Sequence, residues 1–207
     1  MARPDSLAAD DLTRRLYPDV VAAGGLAEAL TQAATGLDLG EIQKDPSDPW
    51  TWTGVPSLAD GREPYTINLG AEERWFIGQG WSRGAQLISG STPSLAETAR
   101  AANAWRRGRP LAEIRAAAPF IEVSDLAFAH ERGPEHAVTV KWRLVREQAR
   151  DAPADGVRAL VEAAHTEPRL RQLFPFLSMW SLHFSTCTGY PFVCPLPQVI
   201  ATGDGRF

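Results

Sequence analysis

Lysine is almost missing from this chain: of 21 basic residues only Lys44 and Lys141 are lysines, and the other 19 are arginines. With 17 glycines, 16 prolines and abundant alanine, that skew reads as the coding bias of a GC-rich genome before it reads as function. Cysteine is as scarce, at two, and in a cytoplasmic chain such a pair is expected as thiols rather than a bridge. No run of about 18 apolar residues is present, which argues against a helical membrane span. The opening MARPDSLAADDLTRRL is charged where a signal peptide needs an apolar stretch, so a cytoplasmic location is expected. The net charge of −4 is spread without blocks of one sign, and neither nucleic acid nor a membrane is an expected partner. P-loop, G-x-G-x-x-G, G-x-S-x-G and H-E-x-x-H patterns are all absent, so no cofactor is expected.

What is present is an ordinary globular composition, 44% hydrophobic and 22% charged over 207 residues. A chain of that length buries roughly 70% of its unfolded surface and needs neither disulfide nor metal to stay folded. Residues 1–18 are expected as a loose N-terminal arm with a turn of helix at Asp11–Leu16, and 19–207 as a single α+β domain. Asp19–Leu30 reads as helix, weakened at Gly24-Gly25. Glu41–Gly61 is punctuated by three prolines and reads as loop, with Trp50 and Trp52 placed to share one face of a short strand. Tyr65–Leu69 alternates as a half-buried strand. Arg74–Ile77 and Ala85–Ser89 flank a glycine-rich GQGWSRG, predicting a hairpin with a loose or bulged turn and Trp81 at its tip. A helix then begins either with Thr92 as cap and Pro93 in its first turn, or with a capping box from Ser94 to Glu97. Leu95, Ala99, Ala102 and Trp105 form its apolar stripe.

Leu111–Ala118 reads as a short helix, Pro119–Val123 as extended chain, and Ser124 as the cap of a helix running to His130. The clearest helix is Glu135–Arg150, with a core stripe of Val138, Trp142, Val145 and Ala149. One more amphipathic helix carries Val157, Leu160, Val161 and Ala164. The expectation is a small, mostly antiparallel sheet (a hairpin near 73–89 and strands near 178–200) packed with five to six helices.

Chemistry concentrates in Leu173–Pro197, LFPFLSMWSLHFSTCTGYPFVCPLP, which holds both cysteines, His183 and four of the eight phenylalanines. Met179–Ser185 alternates: Trp180, Leu182 and Phe184 point to one face, and Ser181, His183 and Ser185 to the other. The aromatic face is expected in the core, and the opposite face is either solvent-exposed or the floor of a cavity. Thr188–Pro191 reads as a turn carrying Tyr190, and Phe192–Leu196 as a returning edge strand, open to a peptide strand. Cys187 is a nucleophile candidate, yet along a strand it stands about 13 Å from His183, too far for direct activation. Cys194 reads as core. His183, Cys187 and Cys194 lack a fourth ligand and zinc spacing, so no metal is expected. His130-Glu131 ends a helix, and serves either as helix-end polar surface or as an acid–base pair. His136 and His165 read as surface.

The segments LYPDVVAAGGL, LISGSTPSLAETARAANAWRRGRPL, PFIEVSDLAFAHERGP and LFPFLSMWSLHFSTCTGYPF together resemble an actinobacterial family of natural product biosynthesis proteins of unknown function. That resemblance covers about Leu16 to the end and implies work on a small-molecule or peptide (or polyketide) intermediate. It carries no catalytic residues, and implies a further strand beyond Gly203–Phe207. Two roles follow. One is a cofactor-independent tailoring or cyclisation protein, with Trp50, Trp52, Trp81, Trp180, Tyr190, Ser181 and Ser185 around a hydrophobic ligand. In it His183, His130, Glu131 or Cys187 handle the chemistry. The other is a non-enzymatic binding protein, a synthetase or leader-peptide partner or a sequestering immunity protein.

Overall fold

The computed structural model describes residues 9–152, 156–192 and 198–201, and has the expected α+β architecture. The chain divides into two compact units, Met1–Ser124 and Asp125–Phe207, a division inside the span expected as one domain.

In the first unit α1 (Asp11–Leu16), α2 (Pro18–Ala23) and α3 (Leu26–Ala33) lead into β1 (Gln43–Lys44), β2 (Trp52–Val55), β3 (Tyr65–Leu69), β4 (Phe76–Ser82) and β5 (Ala85–Thr92). Then come α4 (Leu95–Arg106), α5 (Leu111–Ala117) and β6 (Ile121–Glu122). The strands form one antiparallel sheet in chain order, β1 to β6. The helix expected across 19–30 is two, because Gly24 and Gly25 take φ of 89° and 150°, values open to glycine and costly to other residues. The expected hairpin forms, with Gly78–Ser82 of the GQGWSRG link in strand β4. Arg83 and Gly84 close a two-residue turn with φ of 49° and 75°, and a bulge at Gly80/Trp81 absorbs the irregularity. Trp81 therefore sits half-buried within β4 rather than at a tip.

The glycines of β4 serve as bare backbone. A Cβ on Gly78 would stand 1.8 Å from the Tyr65 hydroxyl, and one on Gly80 would meet Ile88 and the Trp105 ring at 2.7 and 2.9 Å. Trp105, fully buried on α4, lies in that space; its indole N–H donates to the Glu63 carbonyl at 2.9 Å, and the Arg62 guanidinium sits 4.4 Å over the ring. α4 starts from Ser94, whose hydroxyl accepts the Glu97 N–H, while the Glu97 carboxylate accepts from Thr92, not from the Ser94 N–H. Ser94, rather than Thr92, is the cap.

The second unit has α6 (Asp125–Arg132), α7 (Pro134–Arg150), α8 (Val157–Thr166), a 3-10 turn at Leu170–Gln172 and a hairpin of β7 (Phe174–Ser178) and β8 (Ser181–Ser185). α7 buries Trp142, Val145 and Ala149 as its periodicity predicts, against Val157, Leu160, Val161 and Ala164 of α8 and Leu182 and Phe184 of β8. Arg146 of α7 grips Glu162 of α8 with two nitrogens at 2.8–3.0 Å, which holds that carboxyl below its ordinary range. The strand expected over Met179–Ser185 is shorter at its start. Met179 and Trp180 form the turn of the hairpin with φ of 48° and 65°, so Trp180 is 36% exposed at a tip and not in the core. Residue alternation continues through a two-residue turn, which is why the pattern hid it. The partner strand of β8 is β7, which precedes it; on its other edge Leu182 exchanges backbone bonds of 2.9 Å with Val199. Residues 193–197 of the expected returning strand, Cys194 among them, and 202–207 lie outside the described residues.

The Tyr65 hydroxyl is fully buried without a hydrogen-bond partner among the described residues, and burial raises its pKa. Tyr65→Phe is therefore expected to leave stability unchanged or raise it by up to about 1 kcal/mol, since it removes an unsatisfied group. Gly78→Ala should cost about 1–3 kcal/mol by forcing Tyr65 to move. Urea unfolding of the two variants against the parent chain checks both signs.

Candidate functional site

The repeat of α7 that buries Trp142 also sets Val138 one turn earlier on the same side. Where α7 begins, Val138, Trp142 and Phe174 form the apolar wall of a cavity of about 650 Å³, and Glu135, His165 and Arg171 bring charge or proton-binding capacity to it. Thr139, Thr186 and Thr188 add hydroxyls. All of its lining belongs to the second unit. A larger groove of about 1040 Å³ in the first unit is bordered by Glu28 and Lys44, which neutralise each other as an ion pair. It offers no aromatic wall, so the smaller cavity is the better candidate.

Trp142 organises the cavity. Its indole N–H lies 3.1 and 3.2 Å from the carbonyls of Arg171 and Leu173, fixing the chain just before Phe174. His165 meets the indole edge to face at 5.1 Å between centroids. Burial, followed by the nearby Arg146 and Arg171 charges, pushes its pKa down against a smaller opposing pull from Glu162. A neutral imidazole at this wall can accept a proton at neutral pH. His165, expected at the surface from its polar neighbours in sequence, is half-buried, and the signal for this is its place four residues beyond Val161 on the buried face of α8.

The reverse side of the β7–β8 hairpin carries a run of rings. His183 stacks on its cross-strand partner Phe176 at 5.0 Å, Phe176 on Phe192 at 4.9 Å, and Phe192 on Phe174 at 5.9 Å. His130 of α6 reaches Phe174 at 6.1 Å. His183 thus belongs to a stack of rings, with Phe176 and Phe192 on the face of the hairpin opposite Leu182 and Phe184. Burial and then the Lys141 charge lower the pKa of His130. Glu131 is exposed on the same helix. Ser181 is half-buried where β8 begins, and Ser185 is fully buried. The Ser185 hydroxyl accepts the Cys187 N–H at 3.1 Å and shares a 3.2 Å contact with its thiol. That thiol also lies 3.5 Å from the carbonyls of Gly189 and Pro191, so Cys187 ties the turn together. Tyr190 is 71% exposed, its ring edge-on to Phe192. Trp50, Trp52 and Trp81, expected as further walls, belong to the first unit, and all three are half-buried there. Among the described residues no cluster of three metal-ligating side chains occurs.

A family of unknown function, DUF6193, matches residues 136–207. The matched stretch runs from the first turn of α7 to the end and includes most of the cavity lining. No curated protein matches the chain. No solved structure matches it either.

The two depressed histidines give stability a pH signature. Their folded pKa values lie below the ordinary 6.5, so the unfolded chain binds more protons in that window. The stabilisation is present above pH 6.5 and is lost as pH falls through the folded values. Urea midpoints measured from pH 7.5 to 5.5 should fall, and His130→Gln, removing the more buried of the pair, should flatten the slope more than His165→Gln.

Proposed function

We propose that the second unit binds a small hydrophobic intermediate of a natural-product pathway, in which the chain serves as an accessory or tailoring protein. The cavity at the start of α7 carries this reading. Its volume of about 650 Å³ falls within the range of small-molecule sites, and it combines an apolar wall of Val138, Trp142 and Phe174 with a few polar groups. Arg171 suits an acidic substituent on the ligand, and the three threonines suit hydroxyl or carbonyl groups. His165, neutral and in contact with the indole, is the group able to move a proton to or from such a ligand.

The alternative, a protein that recognises its ligand without transforming it, uses the same cavity and parts from the first reading at His165. Anilinonaphthalene sulfonate, a ring system with one anionic group, is a suitable probe. Its fluorescence should rise on binding the folded chain. Val138→Trp, which fills the cavity, should abolish the rise, and Arg171→Ala should weaken binding about ten-fold, since losing a charge-assisted contact costs on the order of 1.4 kcal/mol. Equal fluorescence for the parent and for a folded Val138→Trp variant would overturn the reading. With a late pathway intermediate, mass change that stops in His165→Ala marks an enzyme, and retention without mass change marks a binder.

A further inference from the structure

On the reading of the α7 cavity as a small-molecule site, we propose that its ligand is a short linear peptide with a free amine at one end and a free carboxylate at the other. Two charges of opposite sign line this one cavity, Glu135 and Arg171. Among the described residues the ion pairs of the second unit join Arg143 to Asp125 and Glu147, and Arg146 to Glu162. Neither Glu135 nor Arg171 takes part in one, with each other or with any other described residue. Unlike charges bordering one space attract, and a ligand that carries the complement of each can join them.

The wall between the two charges sets the length of the ligand. Glu135, Val138, Thr139 and Trp142 follow each other at helical spacing on one face of α7. Glu135 stands in the first turn and Trp142 seven residues on, about 10 Å along the axis. The chain at Arg171 is tied to the tryptophan end, because its carbonyl accepts the indole N–H at 3.1 Å. A single amino acid carries both charged groups on one carbon. Extended peptide advances about 3.3 Å per residue, so about three residues cover the distance.

The rest of the lining fits the same ligand. Val138, Trp142 and Phe174 suit apolar side chains. Thr186, Thr188 and Gln172 each carry both a donor and an acceptor, which matches a peptide unit with its one N–H and one C=O. The first turn of α7 favours a carboxylate at Glu135 whatever the cavity holds, since the helix dipole is positive there. It does not account for an arginine without an ion-pair partner bordering the same space.

Calorimetric titration of the full chain with leucyl-phenylalanyl-leucine, and with its N-acetylated and C-amidated forms, reads each end separately. The free tripeptide should bind, and blocking either terminus should weaken binding about five-fold, the upper range for a partly exposed ion pair. Glu135→Gln should bind the free and acetylated peptides alike while still preferring a free carboxylate, and Arg171→Gln should show the reverse. Both side chains are exposed, so both variants are expected to fold. Equal binding of all three peptides by the parent chain, or an amine preference that survives Glu135→Gln, overturns the inference. A chain that takes up anilinonaphthalene sulfonate in the cavity but not the free tripeptide overturns it and leaves the cavity reading intact. Failure to bind either one overturns both.

Discussion

The second unit depends on the Trp142 indole being used from every side. Its ring is buried in the α7–α8–hairpin core and meets Phe184 at 6.1 Å and His165 at 5.1 Å. Its one polar atom reaches the backbone of Arg171 and Leu173. A buried tryptophan needs a partner for its N–H, and here the partner is the segment that delivers the chain into β7. The bond that satisfies the indole therefore also sets where Phe174 stands. The cavity wall and the rings stacked along the hairpin both follow from that position.

Tyr17 plays the equivalent part in the first unit. It is fully buried, and its hydroxyl lies 2.9–3.1 Å from the carbonyls of Gly70, Glu73 and Trp75 and accepts the Trp75 N–H at 3.0 Å. Arg74 then reaches back to Asp19 with two bonds of 2.8 Å, and that guanidinium holds the Asp19 carboxyl below its usual range. Tyr17, placed by its sequence in a loose arm, is thus held in the core, because a tyrosine ring in the sequence does not announce which distant carbonyls will claim it.

Regular elements with one solvent face were legible. Tyr65–Leu69 is strand over the whole span its alternation predicts, and α7 shows the expected stripe with Val138 at the edge of the core. The hairpins were harder, since a two-residue turn preserves alternation. The Arg83-Gly84 turn carries a glycine that hints at it, but Met179-Trp180 adopts the same left-handed conformation without glycine, asparagine or proline. Of the candidate site, the residues proposed from Leu173–Pro197 lie on one hairpin, in its turn and in the segment that follows it, while the cavity lies where α7 begins. The spacing from Val161 could have placed His165 on the buried face of α8, but its contact with the indole of Trp142, 23 residues earlier, was illegible, because periodicity cannot report which two helices will face each other.

The ionisable groups of the second unit sort by sign. Its paired acid Glu162 is held ionised by Arg146, and Asp125 is bound by Arg143 at 2.6 Å. Three of its weaker bases, His130, Lys141 and His165, are shifted toward their neutral forms, with loss of water as the leading cause in each. Burial alone would have depressed bases and raised acids together. Glu162 escapes because Arg146 grips it, while the three bases sit against Phe174 or Trp142. The aromatic side chains that build the core of this unit thus also displace water from the bases that pack against them.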